Sequence, residues 1–187
     1  MSKIKAILFD NDGTVVDTEE PILISIRYTL EKVFGSCTED DIKKFKSLIG
    51  LPSHDQFLHF TKDEATIEEL TKTYRAHNND ILFELSKNFE GLPETLEELK
   101  NRGYFLGIVT SKLHSICLEG LQRIGIDKYF QYIQGPDDWD VHKPDPGAIT
   151  HACEEIGYTP EETLYVGDSV FDMQAGNGAG CKTCAVL

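Results

Sequence analysis

The sequence predicts an α/β protein built on a doubly wound parallel sheet, with a helical domain inserted after the first strand. Three observations carry this prediction. A short apolar run opens the chain, a long segment with helical periodicity and no convincing strand follows it, and apolar strands then alternate with helices to the end. We therefore expect a Rossmann-like core domain formed by residues 1–15 and 87–187, and a helical cap domain formed by residues 16–86.

Composition excludes several classes of function. The chain has 187 residues, of which 40% are hydrophobic, and a net charge of −14. Such an acidic protein is a poor partner for nucleic acid, because phosphate binding needs a basic surface. No apolar run approaches the ~20 residues of a membrane span, and the N-terminus lacks the pattern of a secretory signal. We expect a cytoplasmic protein with no nucleic-acid or membrane partner, present as a monomer or weak homodimer.

Five cysteines are scattered through the chain. An odd number without a secretory signal argues against a disulfide framework. Cys181 and Cys184 form a C-x-x-C pair, but no second pair accompanies it and Cys184 falls in an apolar strand. We expect neither a zinc site nor a redox pair at this position.

The first strand, residues 4–9, has the length and branched aliphatic content of a buried parallel strand. It ends at Asp10 and Asp12, and Gly13 then breaks the pattern. Open α/β sheets bind their ligands at the carboxyl ends of the strands. The two carboxylates therefore stand where such a sheet places its chemistry.

The inserted segment has a helical pattern throughout. Apolar residues three or four apart from Leu23 to Phe34 predict a helix that ends at Gly35. Residues 50–52 form a turn between helices, and Thr66 with Glu69 predicts a capping box at the start of a further helix.

Strands and helices alternate after this insert. The predicted strands are residues 104–110, 132–134, 163–166 and 182–187, and the predicted helices are residues 93–102, 115–124 and 146–156, with a short helix after Asp168.

Polar residues follow the strands of this half in the way that Asp10 and Asp12 follow the first strand. They are Thr110 and Ser111, then Lys143 in a proline-stiffened loop, then Asp168 and Asp172. Carboxylates can hold Mg²⁺ through hard oxygen ligands, and a lysine neutralises charge on a transferring phosphoryl group. A carboxylate can also attack phosphorus directly. The set predicts a phosphoryl-transfer site.

These motifs resemble those of the haloacid dehalogenase superfamily of phosphohydrolases over nearly the whole chain. The resemblance implies that Asp10 is the nucleophile and Asp12 the general acid and base. Thr110 would bind the phosphoryl oxygens, and Lys143 would offset their charge.

The same resemblance implies a Mg²⁺ cofactor, bound by Asp168, by the Asp10 carboxylate and by the Asp12 backbone carbonyl. Asp172 would be an outer-shell acid that holds the metal-bound waters or Lys143. Substrate contacts are expected from Thr110, Ser111, Lys143 and, in the cap, Arg75.

Asp12 and the cap narrow the predicted activity. Relatives that act as dehalogenases lack an acid at this position, so an aspartate there implies a phosphatase or a sugar phosphomutase. Residues 17–19, 49–52 and 73–78 are similar to the cap of bacterial pyrophosphatases and phosphoglycolate phosphatases. We expect hydrolysis of a small phosphorylated metabolite. The alternatives are a β-phosphoglucomutase-type phosphomutase and, in a different class, a non-catalytic binding protein with this fold.

The chain stops on its last apolar strand, whereas members of the superfamily usually continue with another strand and helix. We expect this strand to be an exposed sheet edge, which a further segment or a partner would cover.

Overall fold

The computed structural model describes residues 3–186 and has the predicted α/β architecture. Five parallel strands form the main sheet: β1 (Ala6–Phe9), β4 (Phe105–Val109), β5 (Tyr132–Gln134), β6 (Thr163–Gly167) and β7 (Lys182–Ala185). Their order across the sheet is β5-β4-β1-β6-β7, so the first strand of the chain is the central one.

Helices cover both faces of this sheet: α5 (Leu92–Asn101), α6 (His114–Arg123), α7 (Gly147–Ile156) and α8 (Val170–Ala179). Two 3₁₀ turns, Asp127–Tyr129 and Pro160–Glu162, join elements of the same half. Because successive side chains of a strand point to opposite faces, Ile7 and Phe9 belong to one apolar cluster, with Leu121 of α6. Leu8 belongs to the other, with Ile149 of α7.

The chain divides into two compact units, and the second, Thr18–Ser86, is helical. It contains α1 (Glu19–Phe34), α2 (Glu39–Lys46), α3 (Ser53–Phe57) and α4 (Glu64–Leu85). This unit has an apolar cluster of its own, which includes Ile26, Phe45, Phe57 and Leu70. The first unit consists of the described residues up to Asp17 together with those from Lys87 onward.

The start of α4 differs from the prediction. The capping box at Thr66 and Glu69 is wrong, because the helix begins one turn earlier, at Glu64, with Asp63 as its N-cap. The Asp63 carboxylate accepts a hydrogen bond from the Thr66 N–H at 2.9 Å. Asp63 and Thr66 are both residues that favour the N-cap position. An aspartate accepts hydrogen bonds from the free N–H groups of the first helical turn at least as well as a threonine.

A short strand pair was also not predicted. β2 (Val16–Asp17) and β3 (Lys87–Asn88) are antiparallel and lie on the two sides of the inserted segment. Two residues are too few to establish the alternation that identifies a strand in a sequence.

β7 lies at the edge of the sheet, as expected, where it pairs with β6. The predicted strand extends to Leu187, which lies outside the described residues. Among residues 3–186, no helix is both long and apolar enough to cross a membrane.

Candidate active site

The strand register brings the sequence-predicted residues to one edge of the sheet. Phe9 of β1 is paired with Ile108 of β4 on one side and with Val166 of β6 on the other. Asp10, Thr110 and Asp168 each follow within two residues of these positions. Residues that are far apart in the sequence therefore meet because parallel neighbours end at the same side.

Lys143 joins two of the predicted carboxylates. Its ammonium nitrogen lies 2.8 Å from Asp10 Oδ1 and 2.6 Å from Asp172 Oδ1. All three residues are buried, with Asp10 3% exposed, Lys143 3% and Asp172 0%. Charged groups this deeply buried are costly unless they are paired, so this arrangement fixes the position of Asp10.

Burial also shapes the protonation of these groups. Desolvation raises the pKa of Asp10 to about 7, although the nearby Lys143 opposes this shift. Desolvation lowers the pKa of Lys143, but Asp10, Tyr165 and Asp172 more than compensate and raise it well above its ordinary value. The lysine therefore remains charged between its partners.

Asp172 is held on both of its carboxylate oxygens. Oδ1 accepts from Lys143. The Tyr165 hydroxyl oxygen lies 3.3 Å from Asp172 Oδ1 and 3.0 Å from the Val109 carbonyl oxygen, and its single hydrogen is shared between these two acceptors. Oδ2 accepts from the Ser169 N–H at 2.9 Å and from the Ser169 hydroxyl. The Asp172 N–H donates to Ser169 Oγ at 3.2 Å, which completes the capping box of α8. These bonds fix Asp172 at the start of α8, beside Lys143.

Asp12 has a separate cation. Lys112 Nζ lies 2.6 Å from Asp12 Oδ1, and the Asn11 side-chain amide donates to the same oxygen at 3.1 Å. Both charged side chains are partly buried. The two aspartates of the first motif are therefore paired with different lysines.

Gly13 allows the chain to pass close to Asp168. Its φ is +77°, and a Cβ at this position would overlap Asp168 Oδ2. The Thr14 hydroxyl donates to Asp168 Oδ1 at 3.2 Å. Glycine meets both requirements, a left-handed backbone and space for the carboxylate.

The carboxylates suit a hard divalent cation. Oxygens of Asp10, Asp168 and Asp172 all lie within 4.8 Å of one another. The four site aspartates outnumber Lys112 and Lys143, so a dication would balance the remaining negative charge. Oxygen donors of this kind are the ligands that Mg²⁺ prefers. Since both oxygens of Asp172 already accept hydrogen bonds, Asp10 and Asp168 are better suited to contact a metal directly.

The other predicted substrate-binding residues are in two places. Thr110 is buried at the end of β4, where its N–H donates to the Gln134 carbonyl at 2.9 Å, and Ser111 follows it in the same loop. Arg75 lies on α4 in the helical unit, where it borders an open cavity together with His54 and Lys72. The structure thus gathers the core residues and assigns Arg75 to the other unit.

The structure adds contacts that the sequence did not indicate. Lys112 pairs with Asp12, Thr14 donates to Asp168, and the Tyr165 hydroxyl lies 3.3 Å from Asp172 Oδ1. Lys112 had a signal, because a lysine two residues after Thr110 follows the strand next to Asp12. Tyr165 had none, since a tyrosine in an apolar strand is typical of the core.

Known proteins with similar sequences and folds belong to one family. A family model for the haloacid dehalogenase-like hydrolases matches residues 7–186. The chain is 38% identical over 185 residues to a protein named pyrophosphatase PpaX from Bacillus cereus (strain AH820). The aligned region covers 98% of this chain and 83% of the relative. A relative of similar name from Clostridium perfringens is 37% identical over 183 residues and covers 98% and 84%.

Solved structures agree with this assignment. A predicted phosphoglycolate phosphatase from Haemophilus somnus 129PT has a TM-score of 0.86 and 26% identity, over 99% of this chain and 86% of that chain. A protein described as a haloacid dehalogenase-like hydrolase from Bacteroides fragilis has a TM-score of 0.91 and 29% identity, over 99% and 88%. The chain therefore belongs to the haloacid dehalogenase-like hydrolase family, as one of its phosphohydrolases.

Proposed function

We propose that this protein is a Mg²⁺-dependent phosphatase that hydrolyses a small phosphorylated metabolite through an aspartyl phosphate on Asp10. The observation that carries the proposal is the position of Asp10. It is buried at the end of the central strand, bonded to Lys143 and within 4.8 Å of carboxylate oxygens of Asp168 and Asp172. A fixed, desolvated carboxylate beside cationic groups is suited to attack phosphorus.

The proposed reaction has two steps. A carboxylate oxygen of Asp10 forms a bond to phosphorus, the bond from phosphorus to the leaving oxygen breaks, and Asp12 gives that oxygen its proton. Asp12 then takes a proton from water, the water oxygen bonds to phosphorus, and the bond between phosphorus and Asp10 breaks. Inorganic phosphate is released, and both aspartates return to their starting states.

The remaining residues have supporting roles in this proposal. Lys143 offsets charge on the phosphoryl oxygens, and Thr110 hydrogen-bonds them. Asp172 holds Lys143 in place through the 2.6 Å contact. Mg²⁺, held by the Asp10 and Asp168 carboxylates and the Asp12 backbone carbonyl, would neutralise phosphoryl charge when bound.

The names of the relatives support pyrophosphate or a phosphoglycolate-like compound as the substrate. Ser111 in the core and Arg75 in the helical unit are the proposed further contacts with it. We place the enzyme in the cytoplasm, as a monomer or weak homodimer.

The test is phosphate release in the presence of Mg²⁺ from a panel that includes pyrophosphate, phosphoglycolate, nucleotides and hexose phosphates. Asp10→Asn should reduce turnover by at least about 10³-fold, because an amide is a far weaker nucleophile. Asp127→Asn, at a half-buried position on the 3₁₀ turn Asp127–Tyr129, is the matched control and should keep full turnover. Turnover by folded Asp10→Asn would refute the nucleophile. Isomer formation without phosphate release from a hexose phosphate would favour the phosphomutase alternative.

A further inference from the structure

We infer that Lys112 is a positioning residue that holds the Asp12 carboxylate at the leaving-group side of the site. The inference rests on the proposed function, because it assigns Asp12 the proton transfer. It adds a second lysine with a task of its own, distinct from that of Lys143.

The direct evidence is the contact between the two side chains. Lys112 Nζ lies 2.6 Å from Asp12 Oδ1, with the lysine side chain 12% and the aspartate side chain 18% exposed. A pair this close and this shielded from water is stronger than an ordinary surface ion pair. Asn11 donates to the same oxygen at 3.1 Å, so the carboxylate is oriented from two directions.

The backbone of Lys112 is fixed as well. Its N–H donates to Thr110 Oγ1 at 3.1 Å, which ties it to a predicted phosphate-binding residue. The next loop packs closely against it, because a Cβ on Gly135 would lie 2.7 Å from the Lys112 carbonyl oxygen. Glycine at position 135 therefore allows the two loops to touch.

Aspartates of that second loop hold the segment after Lys112. The His114 N–H donates to Asp137 Oδ1 at 2.8 Å, and His114 Nδ1 lies 2.8 Å from Asp138 Oδ2. The Gly135 N–H donates to the same Asp138 oxygen at 2.7 Å. A lysine anchored in this way presents its ammonium group to Asp12 from a defined direction.

Positioning of this kind affects rate. A general acid acts only when its proton is within hydrogen-bond reach of the leaving oxygen, and a misplacement of about 1 Å can cost about 10²-fold. Loss of Lys112 should therefore slow reactions that need a proton on the leaving group. It should affect phosphoryl transfer to Asp10 from a substrate with a good leaving group much less.

The experiment compares the wild-type enzyme with the Lys112→Met variant on two substrates. With an alkyl phosphate, whose leaving alcohol needs the proton, kcat/KM, which reports phosphoryl transfer to Asp10, should fall by about 10- to 100-fold. With p-nitrophenyl phosphate, whose leaving group departs as an anion, kcat/KM should fall less than about 3-fold. The kcat values include hydrolysis of the aspartyl phosphate, in which Asp12 acts for either substrate, and should fall with both. Lys112→Arg should recover part of the loss, since it keeps the charge. Lys182→Met, on the exposed edge strand, is the control and should behave as wild type.

A double-mutant cycle with Asp12→Ala supplies the decisive comparison. If Lys112 acts through Asp12, Lys112→Met should cause no further loss of kcat in the Asp12→Ala background. An equal loss in both backgrounds, or a rise in KM shared by both substrates, would overturn the inference and make Lys112 a phosphate-binding residue. Thermal unfolding of each variant identifies a loss that comes from misfolding, and Lys112→Arg then decides the matter. Failure of wild-type enzyme to release phosphate would instead refute the proposed function.

Discussion

Gly13 meets two separate structural requirements. Its left-handed backbone turns the chain out of β1, and its missing side chain leaves room for the Asp168 carboxylate. The first requirement affects the stability of the fold, and the second affects the geometry of the site. A substitution of Gly13 alone would change both stability and activity, but comparison with a second glycine separates the two effects.

Gly91 has the same φ of +77°, and a Cβ at that position would meet nothing within 4 Å, so Gly91→Ala carries the backbone strain alone. We expect Gly13→Ala and Gly91→Ala each to lose about 1 to 2 kcal/mol of unfolding free energy. Gly13→Ala alone should also lose at least about 10-fold in phosphatase activity, because its Cβ displaces Asp168. Denaturant titration and phosphate release measure the two effects, and equal activities for the two variants would contradict this interpretation.

At the residue scale, a sequence points to a site where the pattern is local. Asp10 and Asp12 stand out because a run of apolar residues ends in two carboxylates, a costly pattern without a use. The partner of Asp12 was not identified, because Lys112 stands 100 positions away and its place beside Asp12 depends on the pairing of β1 with β4. A sequence shows which groups need partners, but the fold decides which partners they obtain.

At the scale of elements, α8 connects local stability to the site. Its capping box uses Ser169 and Asp172, and the same Asp172 contacts Lys143. The cap that starts the helix therefore also orients an acid of the candidate active site.

A second capping box provides a control for the role of the α8 cap in activity. Thr38 and Asp41 form the same motif at the start of α2, in the helical unit. Ser169→Ala and Thr38→Ala should each cost about 1 kcal/mol of stability, because each removes the side-chain acceptor at an N-cap. We expect a several-fold loss of kcat for Ser169→Ala, since Asp172 and hence Lys143 lose support, and unchanged kcat for Thr38→Ala. Equal kcat values in steady-state assays would show that the α8 cap is structural alone.

The elements themselves were largely predictable, because long amphipathic helices and apolar strands carry strong periodicity. The helix that starts at Glu19 ends at Gly35 as expected, with that glycine in the left-handed region. The start of α4 was misplaced because Asp63 and Thr66 both fit an N-cap. The sequence does not predict β2 and β3, because each strand is defined only by its pairing with the other. Neither two-residue segment is long enough to show the alternation of apolar and polar residues.

At the scale of the whole molecule, the site carries an excess of negative charge. Asp10, Asp12, Asp168 and Asp172 converge on two lysines, in a chain whose net charge is −14. Their mutual repulsion in the absence of a cation weakens the folded state. A bound dication should relieve it.

We therefore expect Mg²⁺ to stabilise the protein. Saturation at about 100 times Kd adds about 2.7 kcal/mol, and for a domain of this size that corresponds to a rise in Tm of about 5 to 10 °C. A chelator should reverse the rise and abolish phosphate release. Asp168→Asn should lose most of the shift in Tm, whereas Asp127→Asn should keep it. A shift that persists in Asp168→Asn, measured by calorimetry, would locate the cation elsewhere.

The central place of β1 has a further consequence for how the protein is made. β1, in the middle of the sheet, leaves the ribosome well before its two neighbours, which begin at Phe105 and Thr163. At about 5 to 20 residues per second, synthesis of the last neighbour follows that of β1 by roughly 8 to 30 s. During that interval Ile7 and Leu8 lack their final surroundings, while the helical segment already has its own apolar residues to bury. The nascent chain should therefore depend on chaperones early, and Asp10 should take its final position among the last events of folding.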